Sequence, residues 1–200
     1  MKKILFAALP VTALALMIRT AGDPLPIGSP IPSPEAKMKD VSGKEVSLKD
    51  AKTDKGLLVM FSCNTCPYVI KNQTRTYEAC KYAQGNGIGV AILNSNEANR
   101  GSADSMEDMQ DYAKQQGYNW YYLVDQNSAL ADAFGANRTP ECFLFDGEGK
   151  LVYHGAIDDN PSDASAVSRK HLVNAIDEMN AGKEISVKES RSVGCTIKRL

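Results

Sequence analysis

Two cysteines separated by two residues follow a short apolar run in the stretch LLVMFSCNTCPYVIKN. The run 57–61 has the composition of a strand that is buried on both faces of a sheet. Pro67 suits the first turn of a helix, where its missing N–H group costs nothing. The stretch therefore requires a sheet strand that leads directly into a helix, with Cys63 and Cys66 at the junction. No other feature of the sequence constrains the fold as strongly.

The rest of the chain alternates strand-like runs with amphipathic helices. A small hairpin is predicted over MKDVSGKEVSLKD, and buried strands over IGVAIL and WYYLVD. A helix is predicted after the cysteines up to Gly85, and another over SMEDMQDYAKQQG. A second hairpin is predicted around DGEG, and a last helix over AVSRKHLVNAIDEMNAGK. This order predicts an α/β fold with a central mixed β-sheet flanked by helices.

The beginning of the chain has the pattern of an export signal. Lys2 and Lys3 precede the apolar run ILFAALPVTALALMI, which is short for a membrane span and typical of a secretory signal. We expect cleavage after Gly22, although Ala13-Leu14-Ala15, with small residues at 13 and 15, offers another site, and an uncleaved anchor is the alternative. The expected organisation is a signal peptide (1–22), one domain (23–185) and a C-terminal tail (186–200). The mature chain would then work outside the cytoplasm, for instance in the periplasm, without a stable membrane span.

The formal net charge of −1 comes without long blocks of like charge, which argues against nucleic acid as a partner. Zinc needs more ligands than one cysteine pair supplies, and c-type haem needs a histidine where Pro67 stands. A structural staple across so short a loop would stabilise little. Thiol exchange fits better, because a helix N-terminus favours the thiolate form. Cys63 is then the attacking thiol and Cys66 the resolving thiol.

A second feature lies far from the cysteine pair. Thr139-Pro140 directly precedes the strand ECFLF, and a proline at the start of a sheet strand often has a cis peptide bond. A strand, a CxxC pair and a helix, followed much later by Thr-Pro and a hairpin, resemble the thioredoxin fold. The segment LPIGSPIPSPEAKMKDVSGKEVSLKD resembles the N-terminal extension of the redoxin branch, which includes alkyl hydroperoxide reductases and exported TlpA-like thioredoxins. The ending VGCTIKRL also resembles some exported redoxin-like proteins.

The resemblance implies roles for several residues. Cys63 and Cys66 would exchange disulfides, while Thr139 and the cis-proline Pro140 would line the groove for an extended substrate chain. Two departures are visible. The strand LLVMF lacks the buried acid of thioredoxin, and Glu141 is the nearest candidate for proton transfer, with an exposed strand-edge carboxylate as the alternative. The threonine or serine three residues before a peroxidatic cysteine is also missing, because Met60 precedes Cys63 at that spacing.

The remaining thiols are harder to interpret. Cys80 is expected to be a buried, inert thiol. Cys142 should lie on the same strand face as Pro140, either near the active pair or simply in the core. Cys195 stands in a polar tail that gives it no packing role, so we expect an intrachain disulfide or a third redox thiol. Cys80 and Cys142 are the expected partners, since they leave the active pair free. His154 and His171 are expected to be structural or solvated.

The sequence thus predicts an exported thiol–disulfide oxidoreductase. Its substrates would be protein thiols and disulfides, and a redox partner would regenerate the cysteine pair. No organic cofactor and no resident metal are expected. Two alternatives remain: a thiol-dependent peroxidase with an antioxidant role, which would reduce a hydroperoxide, and a copper carrier, because two thiolates bind a soft ion.

Overall fold

The computed structural model describes residues 23–200, so the predicted signal peptide and its cleavage site lie outside the described residues. The strands are β1 (Met38–Lys39), β2 (Glu45–Val46), β3 (Leu57–Ser62), β4 (Gly89–Asn94), β5 (Tyr121–Val124), β6 (Arg138–Thr139), β7 (Glu141–Phe145), β8 (Leu151–Gly155) and β9 (Cys195–Thr196). The helices are α1 (Leu48–Ala51), α2 (Pro67–Lys71), α3 (Gln73–Gly85), α4 (Met106–Gln115), α5 (Ala129–Phe134) and α6 (His171–Asn180).

A five-stranded mixed sheet forms the centre of the fold, in the order β5-β4-β3-β7-β8. β3 runs parallel to β4 and antiparallel to β7, with Ser62 opposite Asn94 and Met60 opposite Cys142. The sheet and its flanking helices confirm the predicted α/β class. Because β3 is central, the loop that follows it emerges at the carboxyl end of the parallel strands, between β4 and β7.

Each face of the sheet packs against its own apolar cluster. Residues of β3 alternate between the two faces, as strand geometry requires. Met60 lies in the cluster that also contains Cys63, Cys66, Cys80 and Cys142. The opposite cluster contains the aromatic rings of β3, α5 and β7, namely Phe61, Phe134, Phe143 and Phe145. The cysteine pair therefore belongs to one face only.

Two helices occupy the region where one helix was predicted after the cysteines. α2 ends at Lys71 and α3 begins at Gln73, with Asn72 between them. The Asn72 side-chain amide donates to the carbonyl oxygens of Tyr68 (2.7 Å) and Pro161 (3.0 Å). The hydrogen bond to Pro161 joins Asn72 to a distant loop at the point where the helix is interrupted. The interruption separates the short α2, which directly follows Cys66, from the longer α3.

The segment 186–200, here called the C-terminal segment, lies along the domain. Ser190 donates its backbone N–H to the carbonyl of His154 (3.0 Å), and its hydroxyl is 2.7 Å from the Tyr153 hydroxyl. Farther on, the Ile197 side chain is buried, and Arg199 forms an ion pair with Asp132 at 2.7 Å. In the part of the chain that the structure describes, no helix combines the length and the apolar character needed to cross a membrane.

Candidate active site

The junction between β3 and α2 has the predicted form. Pro67 is the first residue of α2, and Cys66 precedes it with extended backbone angles. The Thr139–Pro140 peptide bond is cis, as the sequence predicted. Cys63 Sγ lies 3.5 Å from Thr139 Oγ1, and Cys66 Sγ lies 3.4 Å from the Thr139 carbonyl oxygen. The structure therefore brings Cys63, Cys66 and Thr139 together, with Pro140 next in the chain.

A disulfide joins Cys66 to Cys195, across a sequence separation of 129 residues and a Cα–Cα distance of 6.0 Å. Cys63 is a free thiol beside it. The expectation of an intrachain disulfide at Cys195 is confirmed, but the expected partners Cys80 and Cys142 are wrong. The reason is the path of the C-terminal segment, in which β9 pairs antiparallel with β6 and sets Cys195 opposite Thr139.

Opposing interactions act on the Cys63 thiol. Its side chain is only 1% exposed, and this burial is the main reason why its pKa is raised. The Thr139 hydroxyl lowers the pKa of Cys63, the Asp104 carboxylate raises it, and the backbone N–H groups of Cys66 and Thr65 lower it. The N–H groups at the start of the helix are thus present as expected, but burial outweighs them. In this disulfide state, burial therefore favours the protonated form of Cys63.

A buried carboxylate that was not predicted lies beside the cysteine loop. Asp104 is fully buried, and its oxygens accept hydrogen bonds from the Asn64 backbone N–H (3.0 Å) and from the side-chain amides of Asn94 (2.7 Å) and Asn96 (3.1 Å). The Tyr122 hydroxyl donates to the Asn64 side-chain oxygen at 2.8 Å. Asp104 therefore fixes the loop between Cys63 and Cys66, because it accepts the backbone N–H of Asn64, which lies in that loop.

The same network reaches the C-terminal segment. Asn96, which donates to Asp104, accepts the backbone N–H of Lys198 at 2.9 Å. The Lys198 carbonyl in turn accepts the backbone N–H of Ala98 at 2.9 Å. A signal for this network exists in the sequence LNSNEANRGSADS, an Asn- and Ser-rich stretch after a buried strand. Loops at the carboxyl ends of neighbouring parallel strands meet at one edge of a sheet.

Glu141 is not an exposed edge carboxylate. It is buried and accepts the backbone N–H groups of Asn137 (2.8 Å) and Arg138 (3.0 Å). Its other oxygen lies 2.8 Å from His154 Nε2. In β7, the Cys142 side chain lies on the sheet face whose apolar cluster contains Cys63, whereas the neighbouring Glu141 side chain lies on the opposite face. Glu141 thus fixes the residues before Thr139 and is not placed for proton transfer at the cysteines.

Cys80 and Cys142 are free, fully buried thiols. Burial raises the pKa of both, so each behaves as a small apolar side chain. Cys142 shares the core cluster of Cys63 and Cys66, which agrees with its predicted strand face. Within residues 23–200, no group of three or more His, Cys, Asp or Glu side chains is arranged to hold a metal ion.

Comparisons with known proteins agree with this arrangement. The sequence profile described as Redoxin matches residues 21–169. The thiol-disulfide oxidoreductase ResA of Bacillus subtilis is 25% identical over 120 residues, which are 60% of this chain and 63% of that protein. The match therefore spans less than two thirds of the curated relative.

Two solved structures are more similar over a greater length. A hypothetical protein from Sinorhizobium meliloti 1021 is 31% identical, with a TM-score of 0.79 over 91% of this chain and 99% of that one. An uncharacterized conserved protein from Geobacillus kaustophilus is 32% identical, with a TM-score of 0.78 over 90% of this chain and 96% of that one. The mixed sheet with its flanking helices is a thioredoxin-like fold.

Proposed function

The chain belongs to the redoxin family, and on that premise we propose that it is a thiol–disulfide oxidoreductase that exchanges disulfides through Cys63 and Cys66. The observation that carries the proposal is the cluster of three sulfurs beside Thr139 at the start of a helix. Two of these sulfurs, those of Cys66 and Cys195, form a disulfide, and Cys63 is a free thiol next to it.

The chemistry starts from the reduced pair. The Cys63 thiolate attacks a substrate disulfide, and one substrate sulfur leaves as a thiolate. The Cys66 thiolate then attacks Cys63 Sγ, which releases the second substrate thiol and leaves a Cys63–Cys66 disulfide. Thr139 offers its backbone to an extended substrate chain, and Pro140 borders the same groove. A redox partner returns the pair to its starting state, and the reverse sequence oxidises substrate thiols.

The alternative functions lack a supporting observation of this kind. Met60 stands where a peroxidase has threonine or serine, three residues before the cysteine. A copper carrier needs a further ligand, and within residues 23–200 no group of three or more His, Cys, Asp or Glu side chains is arranged to hold a metal ion. Export is part of the proposal. The Cys66–Cys195 disulfide supports it, because disulfides persist outside the cytoplasm.

Reduction of insulin disulfides with dithiothreitol as electron source tests the proposal. We expect Cys63→Ser and Cys66→Ser to lower the rate to that of dithiothreitol alone, because each removes one of the two exchange steps. Cys66→Ser should also accumulate a mixed disulfide at Cys63. The matched control is Cys80→Ala, which keeps all three clustered thiols and should reduce insulin at the wild-type rate. Wild-type activity in Cys63→Ser would refute the mechanism.

A further inference from the structure

The C-terminal segment lies where a substrate chain would lie under the proposed function. It runs as an extended strand antiparallel to β6, with Cys195 opposite Thr139 and Thr196 opposite Arg138. Its cysteine forms a disulfide with Cys66, within the cysteine pair itself. An extended chain paired with the strand before the cis-proline is the arrangement expected of a bound peptide substrate, and here its half-cystine is joined to Cys66, the second thiol of the pair.

We propose that Cys195 is a third exchange thiol and that the C-terminal segment is a tethered substrate, which peptides of similar sequence displace. The inference rests on the proposed function and adds a residue and a substrate class to it. The resting state holds the Cys66–Cys195 disulfide with Cys63 reduced. The substrate-accepting state holds the Cys63–Cys66 disulfide, with Cys195 free and the groove beside Thr139 open.

The step between the two states is an internal exchange. The Cys63 thiolate attacks Cys66 Sγ, the Cys66–Cys195 bond breaks, and a Cys63–Cys66 bond forms. Cys195 leaves as a thiolate and takes up a proton from water, while Cys63 has given up its own proton to solvent. One disulfide is present before and after, so the step needs neither an oxidant nor a reductant. Both sulfurs of the new bond already lie against Thr139.

The rest of the segment keeps Cys195 nearby after its release. Ile197 is buried, and Arg199 is held by Asp132 and by the Ala136 carbonyl at 2.7 Å. A tether of this kind gives the released thiol a high effective concentration at the site. A free peptide therefore has to compete with the segment, and the accepting state is maintained only when peptides bind well.

Gly194 indicates which peptides bind well. A Cβ atom at position 194 would lie 2.1 Å from the Thr139 carbonyl oxygen and 2.7 Å from its carbon. Both are backbone atoms of the strand that precedes the cis-proline, so they are not free to move aside. A chain in this register must therefore have glycine directly before its cysteine. The favoured substrate class is an extended peptide that contains Gly-Cys.

The first experiment maps the disulfides of the oxidised wild-type protein after incubation without reductant from neutral to alkaline pH, with an acid quench and alkylation. We expect both the Cys66–Cys195 and the Cys63–Cys66 isomers, and faster interconversion as the pH rises. Cys63→Ser should give Cys66–Cys195 alone, and Cys80→Ala should behave as wild type. If wild type holds Cys66–Cys195 alone at every pH, the exchange step does not occur.

The second experiment uses oxidised Cys195→Ser, whose disulfide is Cys63–Cys66, with the synthetic peptides SVGCTIK and SVACTIK. In the reverse of the internal step, the peptide thiolate attacks Cys66 and releases Cys63, and the mixed disulfide is mapped to distinguish this from attack on Cys63, the exchange thiol of the proposed function. We expect the glycine peptide to form its mixed disulfide at least about tenfold faster, and equal rates would overturn the substrate class. Insulin reduction by wild type, compared with Cys63→Ser, separates the two proposals. Wild-type activity that is lost in Cys63→Ser, without isomerisation in wild type, refutes the third thiol alone, whereas inactive wild type refutes the proposed function.

Discussion

Asp104 and Cys63 are linked at the residue scale. The buried carboxylate raises the pKa of the thiol, and the Thr139 hydroxyl lowers it. Asp104 also fixes the intervening loop through the Asn64 backbone N–H. A buried acid therefore acts on the cysteine pair from a loop, and not from the strand under the pair as in thioredoxin.

Replacement of that acid should change the pH dependence of Cys63. In Asp104→Asn we expect the pH–rate profile of Cys63 alkylation to move to lower pH, because the like charge that opposes the thiolate is gone. At a fixed pH below the ordinary thiol pKa of about 8.5, alkylation should be up to about tenfold faster. Alkylation of the oxidised protein is followed by mass spectrometry. The control is Glu107→Gln, which replaces an exposed carboxylate on α4. An unchanged profile in Asp104→Asn would show that burial alone sets the reactivity.

Some features of the site depend on residues that are neighbours in the sequence, and others depend on contacts between distant residues. The cysteine pair, Pro67 and the cis Thr139–Pro140 bond were predictable, because each depends on its immediate neighbours in the chain. Asp104 was not, since its partners Asn64 and Asn94 meet it only after β3 and β4 have paired. The Cys66–Cys195 bond was missed for a similar reason. The expected pairing kept the two cysteines of the CxxC motif together, whereas the path of the C-terminal segment decides the outcome.

At the scale of elements, β6, β7 and β8 are held in place by one buried side chain. Glu141 at the start of β7 accepts two backbone N–H groups from residues 137 and 138, and it contacts His154 on β8. The His154 ring also lies against Phe143, with ring centroids 4.5 Å apart. The position of Thr139, and with it the edge on which β9 pairs, depends on this carboxylate.

Glu141→Ala should therefore destabilise the protein strongly. It leaves two backbone donors and His154 without their shared acceptor, and each buried group that loses its hydrogen-bond partner costs about 1–3 kcal/mol. Urea denaturation of the oxidised protein measures the free energy of unfolding. The control is Glu148→Ala, an exposed carboxylate in the β7–β8 turn, which should change it by less than about 0.5 kcal/mol. A similar small change at Glu141 would contradict the role given to it.

Element types were predicted better than element limits. The strands β3, β4 and β5 and the two hairpins were predicted, because apolar runs and turn residues specify them locally. The helix after the cysteines was predicted as one piece, yet it divides at Asn72, whose amide contacts the distant Pro161 carbonyl. The last helix begins only at His171, and a 3-10 turn over Ala164–Ala166 stands where its start was expected. Contacts that are remote in sequence set these limits.

For the whole molecule, the Cys66–Cys195 bond closes a loop that includes most of the fold. Between the two cysteines lie α2 to α6 and four of the five strands of the central sheet. A crosslink over 129 residues removes much of the freedom of the unfolded chain, which corresponds to up to about 5 kcal/mol in the chain-entropy model.

Cys195→Ser should lower the free energy of unfolding by up to about that amount relative to oxidised wild type. Denaturation with guanidinium chloride measures the difference. Both proteins are then compared in excess reductant, where the gap should close, because neither retains a crosslink. A gap of the same size under reducing conditions would mean that Cys195 stabilises the fold by packing and not as half of a disulfide.

The pairing of residues 66 and 195 also sets an order in time. A ribosome adds about 5–20 residues per second, so Cys195 leaves it roughly 6–26 s after Cys66. Throughout that interval, Cys63 is already present beside Cys66, and Cys195 has not yet been added. The newly made chain therefore has a period in which Cys66 can pair with its neighbour Cys63 but not with Cys195. The C-terminal strand is the last part of the disulfide-bonded structure to become available.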